Sequence, residues 1–375
     1  MSSIKFCKNC LMPNTRPNTG FDEAKGLCQA CLNFGERREV DWDARFEELK
    51  DICSRHKREG GGYDCIVPVS GGKDSYFLTY MAKVELGMNP LLVTVVDQFG
   101  KWDAGVRNLK NIARAFDCDH YVFSMSPKLF RETTRIGFEE LGEPLRFLEV
   151  AIYTVPFKLA ASLGIGLVFW GEDSKFEYGD SSVSTGSAAD YTDSLFERAD
   201  PEFWVERGVS KSRMDCVLPP GDAKPVEPIY LGHFVGWSSM RNLGYAKRYG
   251  FRTLANECDR EGCAENFEGV DSIGYQAHAW MKYPKFGFQR TTDVVSRFIR
   301  NGNMSKEEGA RLILEKDHCL DQNVLDDFCK TVGYSPEEFW GIVEGFWNRD
   351  IFEKVDGVWR FKKSVADGFE KVKGW

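Results

Sequence analysis

Cys65-Ile66-Val67-Pro68-Val69-Ser70-Gly71-Gly72-Lys73-Asp74-Ser75 is the stretch that decides the fold. Its first five residues have the apolar character of a buried strand. Beyond it, Phe77, Leu78, Met81 and Val84 recur at helical spacing, and Gly87 is a plausible stop. Two adjacent glycines allow the main chain to approach an anion closely. The first turn of the helix then presents its amides and the positive end of its dipole to that charge. Lys73 adds a point charge, and Ser70 and Ser75 add hydroxyl donors. The stretch is expected to hold phosphate at a strand-to-helix turn.

A Walker A loop would need four residues between its glycines and a Ser or Thr after its lysine, roughly Gly-x4-Gly-Lys-Ser. Here the glycines are adjacent and Asp74 follows Lys73. The strand–SGGKDS–helix pattern resembles instead the PP-loop ATP pyrophosphatases. That resemblance implies cleavage of ATP between the α and β phosphates, with adenylation of a carbonyl-type oxygen.

Working outward, strands and helices alternate, which predicts a parallel α/β sheet. Strands are expected at 64–69, 91–96, 121–123 and 166–170. Helices are expected at 41–58, 74–86, 103–116, 127–141 and 146–163, with Val106, Leu109, Ile112, Ala113 and Phe116 inward in the third. Gly60-Gly61-Gly62 reads as a hinge. Ligands of open parallel sheets bind beyond the carboxyl ends of the strands. That rule gathers the 70–75 loop, Asp97 and the Gly171-Glu172-Asp173 turn around one nucleotide. Asp97 and Glu172 could equally be solvated loop carboxylates.

Four of the twelve cysteines form a pattern of their own. Cys7-x2-Cys10 and Cys28-x2-Cys31 are separated by 17 residues, inside the spacing of roughly 15–20 that suits a four-thiolate zinc site. Pro13, Pro17, Asn18, Gly20 and Gly26 make the intervening chain turn-rich and unable to form a core alone. A metal would supply the missing folding free energy, and four cysteines leave no open coordination position, so the zinc should be structural. A disulfide pair, a redox CxxC or an iron–sulfur cluster are the alternatives. Cys258-x4-Cys263 reads more simply as two unconnected thiols than as a second metal or redox pair. Cys65 and Cys118 read as core fillers.

The chain has 375 residues and a formal charge of −8. Its length suggests about two domains, or one with appendages. The acidic balance argues against a broad nucleic-acid surface. No apolar run approaches the ~18 residues needed to cross a bilayer, and the first residues lack a secretory signal. A cytoplasmic protein without membrane insertion is expected. The domain reading is a zinc ribbon over 1–40, an α/β core over 41–180, an irregular substrate or lid region over 181–289 and a helical region over 290–375. Ser305-x-x-Glu308 and Ser335-Pro336-Glu337-Glu338 are capping boxes. Val294, Phe298 and Ile299 form a stripe on a helix that Asn301-Gly302 should end. Arg290, Arg297 and Arg300, with Lys282 and Lys285, form either a solvated helix face or a subsite for a phosphate or carboxylate. Lys285, Arg290 and Arg297 are the candidates for substrate contact. The late tryptophans, Trp340, Trp347, Trp359 and Trp375, suit a small core.

Taken together, Cys7-Lys8-Asn9-Cys10-Leu11-Met12-Pro13, the SGGKDS loop, Trp170-Gly171-Glu172 with Glu177-Tyr178-Gly179, and Lys285-Phe286-Gly287-Phe288-x-Arg290-x-x-Asp293 resemble the N-acetyl sugar amidotransferases, the WbpG/PseA-like group. The implied fold is a PP-loop (adenine nucleotide α-hydrolase-like) parallel sheet flanked by helices, with an N-terminal zinc ribbon and a helical C-terminal region. The implied reaction is an ATP-dependent, AMP- and pyrophosphate-forming conversion. An acetamido group on a bacterial surface-polysaccharide sugar, expected to be nucleotide-linked, becomes an acetamidino group through an adenylated imidate attacked by ammonia, as in O-antigen biosynthesis. Ser70, Gly71, Gly72, Lys73, Asp74, Ser75, Asp97, Gly171 and Glu172 would bind ATP, Lys73 and Asp74 would be catalytic, and Mg²⁺ would bridge phosphates. The residues show neither a glutaminase cysteine nor a general base. The resemblance implies separate partners, a HisH-like glutaminase and a HisF-like ammonia-delivery subunit. A tRNA-thiolating PP-loop enzyme is the alternative activity, and a zinc-ribbon adaptor with a vestigial ATP site the non-enzymatic one.

Overall fold

The computed structural model describes residues 4–180, 199–220 and 226–373. Most of the polar run from Ser181 that opens the expected lid, and Gly221 and Pro225 further on, lie outside the described residues. A short antiparallel ribbon, β1 (Phe21–Asp22) with β2 (Leu27–Cys28), begins the chain. The central sheet is built from β3 (Cys65–Pro68), β4 (Pro90–Val96), β5 (His120–Ser124), β6 (Leu167–Trp170) and β7 (Glu227–Tyr230). Its spatial order is β5-β4-β3-β6-β7, and every neighbouring pair is parallel.

The strands are apolar on both faces because helices cover both faces. Ile66, Leu91, Val93, Val168 and Trp170 point into one core, with the helices Pro127–Leu141 and Arg146–Leu163. Val67, Val69, Leu92, Leu167 and Phe169 point into the other, with the helices Trp42–His56, Lys73–Tyr80, Asp103–Phe116 and Ser239–Arg248. The period of two along each strand thus feeds two separate cores.

Local chemistry sets most boundaries where the sequence places them. Asp41 caps its helix by accepting from the Ala44 amide, 3.0 Å away. Ser126 caps the helix that opens with Pro127, and Gly142 closes it at φ +58°. Ser335 and Glu338 form the complete reciprocal capping box, whereas Ser305 makes only its own half, to the Glu308 amide.

Four features depart from expectation. Val106 faces outward, because the helix turns Ala104, Asn108 and Ile112 to the core instead. β7 arises from the stretch read as irregular and extends the sheet beyond β6. The helix Arg290–Arg300, whose basic residues allowed a solvated face, is buried along nearly its whole length. The helical C-terminal region also contains a hairpin, β8 (Phe352–Val355) with β9 (Val358–Phe361). Its Asp356-Gly357 turn has positive φ at both residues, +50° and +79°, as tight hairpins require. Trp347 stacks on Trp359 at 5.4 Å in a small core with Phe352 and Phe361.

Candidate active site

β3 and β6 are neighbours, yet the chain leaving β3 runs towards β4 and that leaving β6 towards β7. The connections diverge and open a crevice at the carboxyl ends, the place where such sheets take ligands. Residues 70–75 form its floor. The Ser70 amide donates to Ser75 Oγ at 2.9 Å, and the Gly72 amide to Ser70 Oγ at 3.2 Å. Gly71 sits at φ +84°, and a Cβ there would come within 2.9 Å of the Leu109 backbone nitrogen, so both conformation and space demand glycine. The helix Lys73–Tyr80 begins immediately after, with its first amides facing the crevice mouth.

Lys73 is only 3% exposed. Its ammonium lies 2.6 Å from Asp74 Oδ2 and 3.1 Å from Glu268 Oε1. Burial alone would make it less basic. Asp74 and Glu268 outweigh that and raise its pKa above the ordinary lysine value. The second oxygen of Asp74 accepts from Asn242 Nδ2 at 2.8 Å.

Glu268 is the hub of this site. Besides Lys73, it receives Arg297 Nη2 at 2.7 Å, Arg290 Nη2 at short range and the Ser239 hydroxyl at 3.1 Å. Burial would raise its pKa, but Arg297, Lys73 and Arg290 together hold the carboxyl well below its usual range. Arg297 also lies 3.6 Å from Glu172 Oε2, whose other oxygen accepts from the Tyr178 hydroxyl. Burial pushes the Glu172 carboxyl up, against the pull of Arg297. Behind these, Asp293 pairs with both Arg16 and Lys282. Several polar atoms here are buried without a hydrogen-bond partner among the described residues: Arg297 Nε, Asn242 Oδ1, Asp173 Oδ2 and Ser174 Oγ. Buried groups of this kind are uncommon unless a ligand or water completes them.

The other expected site residues are dispersed. Gly171 and Glu172 follow β6 at the crevice edge, where the Gly171 carbonyl accepts from the Gly232 amide at 2.8 Å. Asp97 ends β4 and accepts from the Phe99 amide at 2.9 Å and Lys101 Nζ at 2.6 Å. Lys285 stands apart from this cluster, donating to the Leu141 carbonyl at 3.1 Å. Glu268, Asn242 and Arg16 were not singled out from the sequence. Glu268 lies in an acidic loop, and only its company marks it.

The four cysteines converge. Their sulfurs all lie within 4.8 Å of one another, with Cys7–Cys31 and Cys10–Cys28 each at 3.6 Å. Sulfurs about 2.3 Å from a tetrahedral zinc would sit roughly 3.8 Å apart, so the set fits the ion. The Cys28 amide donates to Cys7 Sγ at 3.4 Å, and Asn9 Nδ2 to Cys31 Sγ at 3.3 Å. The knuckle is tied to the helix Arg290–Arg300. Ser296 donates to the Cys10 carbonyl at 2.9 Å, and Arg300 reaches Cys10 Sγ at 3.8 Å and the Glu177 carbonyl at 2.7 Å. Cys258 and Cys263 are free thiols.

Among the described residues, no helix is long and apolar enough to cross a membrane. A curated relative, the uncharacterized protein MJ1599 of Methanocaldococcus jannaschii, is 26% identical over 159 residues, 41% of this chain. The chain spans about half the length of that relative, 54%. Among solved structures, NMN synthetase from Francisella tularensis is similar over 70% of this chain and 92% of its own, at 14% identity and a TM-score of 0.33, a likeness that carries no argument. Residues 261–366 match the family of the LPS biosynthesis protein WbpG-like C-terminal domain. That segment includes Glu268, which contacts Lys73, and Arg290 and Arg297, which pair with Glu268. The match covers this C-terminal segment, which is similar to the WbpG-like domain in the part of the chain that also carries the Lys285-Phe286-Gly287-Phe288 motif.

Proposed function

We propose that this protein is an ATP-dependent amidotransferase of bacterial surface-polysaccharide biosynthesis, converting a sugar acetamido group to an acetamidino group. One observation carries the reading: the segment similar to the WbpG-like domain brings Glu268 onto the lysine of the strand–SGGKDS–helix turn, with Arg290 and Arg297 paired to the same carboxylate. A phosphate-binding turn and a domain of lipopolysaccharide-biosynthesis relatives thus share one ion network.

The chemistry needs these parts. An amide oxygen is a poor leaving group, and bonding it to AMP makes it a good one. Ser70, Gly72 and the helix amides would hold the β and γ phosphates. Lys73 would offset the charge that grows on pyrophosphate as it departs, a preorganised electrostatic contribution. The ammonium is already fixed between two carboxylates, so it needs little reorientation. Mg²⁺, bound near Asp74, would neutralise phosphate oxygens. Ammonia would come from a separate glutaminase with a delivery subunit. The zinc knuckle would have a structural part.

The test is incubation with ATP, Mg²⁺, ammonium and a panel of acetamido sugars, free and nucleotide-linked. The expected product is lighter than the acceptor by about one dalton, as oxygen is exchanged for NH. Lys73→Ala should lower its formation by at least ~10²-fold while circular dichroism stays unchanged. Stimulation of ATP cleavage by tRNA, with no response to any sugar, would instead support the thiolation alternative.

A further inference from the structure

Beside the phosphate turn, a separate cleft of about 170 Å³ opens over the ends of β6 and β7. The N-terminal ribbon supplies one wall, through Arg16 and Asn18, and Tyr153, Tyr178 and Tyr230 supply much of the other. Glu172 and Ser174 also line it. We propose that this cleft is the acceptor subsite, taking a polyhydroxylated ring that carries an acetamido group, with Glu172 accepting the proton released during amination. The inference rests on the amidotransferase reading and deepens it.

Three observations support the assignment. The first is the lining chemistry. Tyrosine rings offer flat apolar surface for the ring carbons, and their hydroxyls, with Asn18 and Glu172, suit sugar hydroxyls. The Arg16 guanidinium lies 4.8 Å from the Tyr178 ring centre, which fixes both. The second is an unmet need. Ser174 Oγ is buried without a hydrogen-bond partner among the described residues. Such a group is unfavourable until something pairs with it.

The third observation is position. Glu172 belongs both to the cleft and to the network of the phosphate turn. It lies 3.6 Å from Arg297, which lies 2.7 Å from Glu268, which lies 3.1 Å from Lys73. An acetamido carbonyl at the inner end of the cleft would therefore lie beside a nucleotide held by the turn. The groups that face Glu172 are Tyr178, Arg297, Asp74 and Glu177. Burial makes its carboxylate a stronger base than an exposed glutamate, and this outweighs Arg297.

The step balances as follows. The amide oxygen bonds to the α phosphorus of ATP, the bond between the α phosphorus and its bridging oxygen breaks, and pyrophosphate leaves. The nitrogen lone pair of ammonia then bonds to the imidate carbon. One proton passes from that nitrogen to Glu172, the carbon–oxygen bond breaks, and AMP leaves with both electrons. The product is an amidinium, and nothing is oxidised or reduced.

The experiment uses the full chain with ATP, Mg²⁺, ammonium, and N-acetylhexosamines presented both free and as uridine diphosphate conjugates. Pyrophosphate release identifies the better acceptor form. With that acceptor, Ser174→Ala should raise the acceptor KM about fivefold, leave the ATP Kd within twofold, and keep or raise the melting temperature. A merely structural serine would move stability and not KM. Glu172→Gln should lower kcat by roughly 10²-fold or more and abolish the acid limb of its pH profile. If wild-type turnover is robust and Ser174→Ala leaves the acceptor KM unmoved, the cleft assignment is overturned while the amidotransferase reading stands. A Glu172→Gln enzyme with the wild-type profile overturns the proton role. Absence of pyrophosphate release with every acceptor overturns the amidotransferase reading, and the cleft with it.

Discussion

Glu268 shows how much the meaning of a side chain depends on its company. Its carboxylate is enclosed, and Lys73, Arg290 and Arg297 all converge on it. Removing its charge would leave three cations in a confined space without their common partner. Glu268→Gln should destabilise the fold by about 3–5 kcal/mol, read by urea denaturation at neutral pH. The pH dependence has a definite sign. The Glu268 carboxyl and that of Asp293 are held below their usual values, by Arg297, Lys73 and Arg290 in one case and by Lys282 and Arg16 in the other, in each case against the effect of burial. Their contribution is fully present above the unfolded-state values, about pH 4, and is lost as pH falls below them. Stability should therefore decline with acid below about pH 4, and the Glu268→Gln protein should lose part of that slope. A parallel acid decline in variant and wild type would contradict the account. The SGGKDS residues were legible because a phosphate turn is a local device. Glu268 was not, because its partners are remote in sequence.

The helix Arg290–Arg300 carries two of those partners and is hydrogen-bonded to the knuckle through Ser296. Gln289, at its N-cap position, makes no side-chain cap. The service comes instead from Asp317, which accepts from the Gln289 amide at 3.1 Å, the Thr292 amide at 3.0 Å and the Thr292 hydroxyl at 2.7 Å. Burial pushes the Asp317 carboxyl up to about 7, against the pull of these donors, which favour its ionised form. Asp317→Ala should cost about 1–3 kcal/mol, since it leaves buried amides unpaired. It should also increase amide exchange across 290–300 more than in the neighbouring helix Gln322–Val332. Equal exchange in both would show that the cap is not local to this helix. No sequence rule finds such a cap, because the capping residue lies outside the helix it serves. By contrast, the helices expected at about 127–141 and 146–163 form there, where Ser126 caps the first and Gly142 and Gly164 close the two.

For the molecule as a whole, the cysteine knuckle is a fastening between the ribbon and the helix that pairs with Glu268. Gly179, at φ +72°, lets the ribbon approach so closely that a Cβ would come within 2.4 Å of the Ala30 amide nitrogen. Ser296 and Arg300 join the other side of the knuckle to the helix that carries Arg297. Metal removal should therefore act at a distance. Stripping the protein with a strong chelator, or replacing Cys28 by Ser, should release about one zinc per chain, lower the melting temperature and loosen 290–300. Activity should fall in step with metal loss and return on re-addition of zinc. Retention of full activity in a metal-free chain would refute this coupling.

Local signals written in neighbouring residues were enough to set the parallel α/β alternation, the strand–SGGKDS–helix turn, the caps and the thiolate quartet. Periodicity, capping and turn chemistry all act over a few residues, so they survive in the bare sequence. The fifth strand, the burial of a basic helix and the ion network that links Lys73, Glu268, Arg290, Arg297 and Glu172 were decided only when distant segments packed. A charge earns a buried position through the countercharges that reach it, and those are set by the tertiary fold.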